Sequence, residues 1–258
     1  MTLEPLLSVD GLSKWYGDQL GCADVGFELY PQQVLGIVGE SGSGKTTLLK
    51  CLHGELPVDS GTIAYRTRSD GVLELTTISE ARRRLLMRTD WGFVHQNPRD
   101  GLRMNVSAGA NIGERLMAQG DRHYGAIRGA ALDWVGKVEI DPDRIDHMPS
   151  TYSGGMQQRL QIARNLISKP RLVFMDEPTG GLDVSVQARL LDLVRQLVSD
   201  LGLSAIVVTH DLAVARLLSH RLIVMQGGRI VETGLTDQVL DDPQHPYSQL
   251  LVSSILRP

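Results

Sequence analysis

The sequence predicts an α/β fold built on a largely parallel central sheet, and three observations carry that expectation. Short apolar runs alternate with longer amphipathic stretches along the chain, the pattern of strands and helices taken in turn. The clearest run, Val34-Leu35-Gly36-Ile37-Val38, leads straight into a glycine-rich segment at residues 39–46 and then into a helical stretch at 47–53. Further apolar runs at 91–94, 172–175 and 205–208 each end just before polar residues. Those are the strand ends at which open α/β sheets hold their ligands.

Taken from the amino end, residues 6–9, 25–29 and 63–65 have the composition of an antiparallel subsheet beside the main one. Between Asn97 and Thr151 the β-type runs give way to helical candidates at 106–117 and 127–138. A helical subdomain inserted into the sheet is therefore expected over about 97–160. No internal repeat or low-complexity linker interrupts the chain, and 258 residues suffice for one full core. Residues 1–258 are read as a single functional domain.

Composition limits the classes of function. Hydrophobic residues make up 42% and charged residues 22%, the balance of a soluble globular protein. No apolar stretch approaches the roughly 20 residues of a membrane-spanning helix, so any membrane role runs through a partner without direct insertion. The net charge of -4 argues against a nucleic-acid-coating protein, which would carry a basic patch. Arg82, Arg83, Arg84 and Arg88 form the one dense basic cluster, read as a solvated helix face. The two cysteines, Cys22 and Cys51, lack the spacing of a metal site and are too few for a disulfide framework. The first ten residues carry no signal-peptide core. A reducing cytoplasm is the expected location.

Gly39-Glu40-Ser41-Gly42-Ser43-Gly44-Lys45-Thr46 fits the pattern G-x-x-x-x-G-K-[ST] between a strand and a helix. In that context the glycines let backbone amides curl round phosphates, and the following helix adds its amino-terminal potential. Lys45 is expected to reach the β and γ phosphates of ATP, and Thr46 to place its hydroxyl on Mg²⁺, with Thr47 beside it. Few other protein ligands are needed, because Mg²⁺ keeps waters and phosphate oxygens in its shell.

The run at 171–175 ends in Asp176-Glu177, two carboxylates costly to leave unpaired beside a core. Solvated strand-end acids would be the bland reading. Beside a phosphate loop, Asp176 is read as holding Mg²⁺ through water and Glu177 as the general base that polarises the attacking water.

Tyr152-Ser153-Gly154-Gly155-Met156-Gln157-Gln158-Arg159 then resembles the signature of ATP-binding cassette (ABC) ATPases, a short way before Asp176, as in that family. The resemblance implies a P-loop NTPase core of RecA-like type with an antiparallel β subdomain and an inserted helical one. It also implies a head-to-tail dimer with itself or a paralogue. Ser153, Gly154, Gly155 and Gln157, with Asp183 of the Gly181-Leu182-Asp183 loop, would serve the nucleotide of the opposite subunit. The same resemblance makes Gln96 a sensor of Mg²⁺ and attacking water, His210 the switch histidine on the γ-phosphate, and Tyr16 the ring that stacks on adenine, with packing as its competing role. Met156 and the pair Gly180-Gly181 depart from the commoner residues.

The resemblance extends from Leu6 to about Leu251. The motif at 39–47, residues 184–187 and Pro243-Gln244-His245-Pro246-Tyr247 resemble ATPases of oligopeptide importers. Those commonly continue into a cysteine-bearing extension, whereas Cys51 is the last cysteine here. Residues 94–103, 111–117 and 179–191 resemble the ABC-type proteins of bacterial carbon-phosphorus lyase systems. That implies docking on the soluble lyase core, with the surface around 98–105 as the expected contact. An importer subunit, peripheral to the inner membrane, is the alternative, and a nucleotide-binding scaffold without turnover is a third reading.

Overall fold

A computed structural model describes residues 4–254. From the amino end run β1 (Leu7–Tyr16), β2 (Gln19–Leu29), β3 (Val34–Val38), α1 (Lys45–His53), β4 (Ser60–Arg66), β5 (Val72–Glu74) and α2 (Glu80–Thr89). Then come β6 (Trp91–Val94), α3 (Pro98–Gly101), α4 (Ala108–Gln119), α5 (Tyr124–Lys137), α6 (Gly154–Leu166), β7 (Leu172–Asp176) and α7 (Val184–Leu201). The last third holds β8 (Ser204–Thr209), α8 (Leu212–Leu218), β9 (Arg221–Gln226), β10 (Arg229–Leu235), α9 (Thr236–Asp241) and α10 (Pro246–Ser253). These elements form two units, one running to Arg83 and resuming at Gly202, the other spanning Arg84–Leu201.

In the first unit β3 lies between β8 and β9 and is parallel to both. All of its residues are buried, as a strand covered on both faces must be. β10 closes this sheet antiparallel to β9 through Gly227 and Gly228, both at positive φ, the conformation that two-residue hairpin turns require. The antiparallel sheet β2-β1-β4-β5 belongs to the same unit. The expected segments 6–9, 25–29 and 63–65 lie in or at the edge of its strands, which run longer than the sequence suggested. Both cysteines are free and buried. Hydrogen bonding to Cys22, with burial, holds the Cys51 thiol far above its usual range, which makes Cys51 a poor nucleophile at neutral pH.

In the second unit β6 and β7 pair in parallel, and Phe174 meets Trp91 edge-on at 5.9 Å. Helices α3 to α6 fill the span expected to be helical. Their boundaries differ from the expected 106–117 and 127–138 because caps fix them. The Ser107 hydroxyl accepts from the Ala110 N–H at 3.3 Å, leaving Val106 outside α4. His123 Nδ1 accepts from the Ala126 N–H at 3.0 Å and starts α5 at Tyr124. Arg115 crosses from α4 to donate to the carbonyls of Met87 and Trp91 at 2.7 and 2.5 Å. Burial draws its guanidinium down to about 10, still charged at neutral pH.

Candidate functional site

The phosphate loop in the first unit is shaped by close backbone approaches. At Gly39 (φ +152) a β-carbon would lie 2.3 Å from the Met225 carbonyl oxygen, and at Gly44 (φ +98) one would lie 2.2 Å from that of Gly21. Neither position admits a side chain. Lys45 is buried, and its Nζ donates to the carbonyls of Gly39 and Glu40 at 2.7 and 2.8 Å and to Ser43 Oγ at 3.3 Å. Helix α1 thus begins at Lys45, two residues before the expected start, capped by Gly44 in the left-handed region. Ser41, Gly42 and Thr46 are exposed on the outer rim of the loop.

Tyr16 ends β1 beside this helix. Its hydroxyl lies 3.4 Å from Thr47 Oγ1, and its ring is 47% exposed, so a face remains for a flat ligand. Gly21 makes this possible: a β-carbon there would sit 2.8 Å from Thr47 Cγ2 and 3.0 Å from the Tyr16 ring. His210 follows β8 and is exposed. The turn around it is fixed on both sides, with the Asp211 N–H donating to Thr209 Oγ1 at 3.0 Å and the Asp211 carboxylate capping α8 through Ala213 N–H at 2.8 Å.

In the second unit the sequence-predicted residues gather round the end of β6. Gln96 is exposed just beyond that strand, and its side chain lies against Gly180, where a β-carbon would be 3.3 Å from Gln96 Nε2 and 3.2 Å from the Glu177 carbonyl oxygen. Gly181 adopts φ +73. Glycine suits both positions: a side chain at Gly180 would need Gln96 to give by a few tenths of an ångström, and the positive φ at Gly181 strains other residues. Glu177 itself sits at φ +45, a left-handed conformation rare outside glycine, whose cost marks a position held by its surroundings. Asp176, ending β7, is buried. A cavity of about 510 Å³ opens here, lined by Gln96, Gly154, Gln158, Gly180 and Leu182 among others.

Helix α6 carries the signature at its amino end. Ser153 caps it, Oγ accepting from the Met156 N–H at 3.4 Å, and Ser153 and Gly154 are exposed while Gly155 is buried. Gln157 was expected to face a second subunit with them. Its side chain instead points inward and donates to the carbonyls of Pro149 and Tyr152 at 2.9 and 3.1 Å, because the turn before the helix presents buried acceptors that need a donor. Met156 accepts from the Arg144 guanidinium at 3.4 Å. Asp183 is exposed at the start of α7, its carbonyl accepting from the Gln187 N–H at 2.8 Å.

Sequence reading missed what fastens α6 to β6. Asn165 Oδ1 accepts from the Phe93 N–H at 3.0 Å, and its Nδ2 donates to the Phe93 carbonyl at 2.8 Å. Gln161 repeats this on His95, accepting its N–H at 2.6 Å and donating to its carbonyl at 3.1 Å, and Gln158 adds a donor at 3.2 Å. These three amides occupy one helical face and replace a neighbouring strand along β6. The visible sign was their spacing of three and four residues, which sets them on one face of a helix. Through them the position before Gln96 is tied to the helix that begins at Gly154.

Among the described residues no cluster of three or more His, Cys, Asp or Glu could cage a metal ion. Thr46 in the first unit offers a hydroxyl and Asp176 in the second a buried carboxylate, each an oxygen donor of the kind Mg²⁺ takes when phosphates and waters fill the rest of its shell. No helix among the described residues is long and apolar enough to cross a membrane.

A strand-borne glycine loop closed on its own lysine, together with a helix opened by Ser-Gly-Gly, defines an ATP-binding cassette. The chain belongs to the ABC transporter family, whose model matches residues 22–180. It is 64% identical over 254 residues to PhnK of Escherichia coli (strain K12), a protein named for phosphonates utilization and ATP binding, covering 98% of this chain and 99% of that one. A peptide import ATP-binding protein of Brucella melitensis biotype 1 is 35% identical over 269 residues, covering 100% of this chain and 79% of its own length. Among solved structures, the ATP-binding cassette MJ0796 in a dimeric, post-hydrolysis state with ADP and Pi matches at a TM-score of 0.79 and 25% identity, over 89% of this chain and 98% of that one. A second dimeric structure of MJ0796 matches at 0.80 and 26% identity, with the same coverage.

Proposed function

We propose that the chain hydrolyses Mg²⁺-bound ATP as one half of a dimer, and that it acts with a carbon-phosphorus lyase core in phosphonate breakdown. The observation that carries the dimeric reading is the exposure of Ser153 and Gly154 at the amino end of α6. The first amides of the helix and its dipole there suit an anion presented from outside the chain.

In this mechanism Lys45 exchanges the carbonyls of Gly39 and Glu40 for the β and γ phosphates, and the amides of residues 39–46 surround them. Tyr16 stacks on adenine. Thr46 and, through water, Asp176 and Gln96 would hold Mg²⁺, which would supply positive charge against the phosphates. Glu177 takes a proton from the attacking water as its oxygen bonds to the γ-phosphorus and the bridging oxygen leaves with ADP. His210 holds the γ-phosphate. Ser153, Gly154, Gly155 and Asp183 of the second chain complete the site, while Gln157 supports the turn that presents them.

The 64% identity to a phosphonates utilization protein over nearly the whole chain supports the lyase reading. The 35% identity to a peptide import protein supports a second, in which the chain serves membrane permease subunits. Pull-down of the full chain followed by mass spectrometry separates them. Recovery of lyase core subunits is expected, and recovery of permease subunits from detergent extracts, without them, would overturn the proposal.

A further inference from the structure

The carboxy-terminal segment reaches the phosphate loop. Tyr247, near the start of α10, is 7% exposed, with its ring in the apolar cluster of Val38, Leu212, Leu222, Val224 and Val239. Its hydroxyl accepts a hydrogen bond from the Glu40 N–H at 3.0 Å. Glu40 is therefore gripped from both sides, because its carbonyl accepts from Lys45 Nζ at 2.8 Å and from the Ser43 N–H at 3.2 Å.

The position of Tyr247 is itself set by a chain of hydrogen bonds. Its N–H donates to His245 Nδ1 at 3.2 Å. The Glu232 carboxylate on β10 accepts the N–H groups of Gln244 and His245 at 2.8 and 3.0 Å. Pro246 fills the first position of the helix, where a missing N–H costs nothing.

We propose that Tyr247 is a positioning residue for the phosphate loop, and that the run from Glu232 to Tyr247 is a latch that sets the affinity of the loop for the triphosphate of ATP. The physical reason is pre-organisation. A nest of amides binds an anion well only if its peptide planes are already turned inward, and a glycine-rich loop loses much entropy on ordering. When Lys45 leaves the carbonyls of Gly39 and Glu40 for phosphate, the Ser43 N–H still holds the Glu40 carbonyl, and the bond from the Glu40 N–H to Tyr247 still fixes the peptide between Gly39 and Glu40. The inference rests on the nucleotide reading of the loop.

The test is Tyr247→Phe, which removes the hydroxyl and keeps the ring in its cluster. ATP dissociation constant and KM are expected to rise roughly 2- to 10-fold, the effect of one hydrogen bond, with kcat at saturating ATP changed less than twofold. Hydrogen exchange at the Glu40 amide should accelerate. Glu232→Ala should weaken ATP binding in the same direction. Leu251→Ala, which thins packing against the same cluster without touching the polar chain, should lower the thermal midpoint and leave ATP affinity unchanged. Wild-type affinity in both Tyr247→Phe and Glu232→Ala, beside a wild-type chain that binds ATP, would overturn the latch alone. A wild-type chain that binds no ATP would overturn the latch and the nucleotide reading together.

Discussion

In the unit that carries the phosphate loop, the groups proposed to meet a nucleotide are backbone amides, one lysine and the face of a tyrosine, beside glycines where no β-carbon fits. In the unit that carries Gln96 and Glu177 they are side chains, held by other side chains: a strained turn at Glu177, a glycine pair pressed against Gln96, and amides of α6 bonded along β6. The first arrangement draws its phosphate-facing groups from consecutive residues and suits binding. The second depends on residues more than sixty positions apart and suits a part that responds to what is bound. Mutations in the two regions should therefore fail differently.

The largest separation is expected from Glu177→Gln, which should lower kcat for ATP hydrolysis by roughly 10²- to 10⁴-fold while ATP still binds. Steady-state hydrolysis beside nucleotide titration reads this, and unchanged turnover would remove Glu177 as the base. Lys45→Ala should act in the other region and the other way, weakening binding itself and lowering kcat/KM by roughly 10²- to 10³-fold. If it spared binding and lost only turnover, the contrast between the regions would collapse.

How much of each region was legible follows from the same contrast. The loop could be read residue by residue because a backbone nest needs glycines and a lysine at fixed spacing in consecutive sequence. β3 and the ends of β6 and β7 were equally plain from apolar runs, and the start of α6 from the resemblance of residues 152–159 to the family signature. The hairpin of β9 and β10 went unread although Gly227-Gly228 marks its turn, since no residue of β10 is fully buried and it offers no continuous apolar run. Gln157 was misplaced because its name fits a signature pattern while its environment, the buried carbonyls of Pro149 and Tyr152, exists only in the folded turn. Asn165 and Gln161 gave little sign of their task, because their partners Phe93 and His95 lie far off in sequence.

Asn165→Leu tests that missed element. It strands the buried N–H of Phe93, which should cost about 1–3 kcal/mol of stability, a fall of several degrees in the thermal midpoint for a chain of this size. ATP affinity at the loop should stay within twofold. A stable variant with wild-type turnover would mean the amide contacts do not tie the Gln96 region to α6. The smallest effect is expected at Tyr16→Ala. Stacking by an exposed ring is worth about 1 kcal/mol, so ATP affinity should fall about fivefold, with kcat kept, and GTP should lose as much.

The central claim is that ATP closes two copies of this signature-bearing chain, or one copy and a paralogue, on each other. The most direct measurement is the molar mass of the purified Glu177→Gln chain by light scattering, with and without Mg²⁺-ATP. The mass of one chain without nucleotide and twice that with ATP, reversed when Ser153→Arg is added, is the predicted result. A single-chain mass at ATP concentrations that saturate the loop, unrescued by a paralogous cassette, would contradict it.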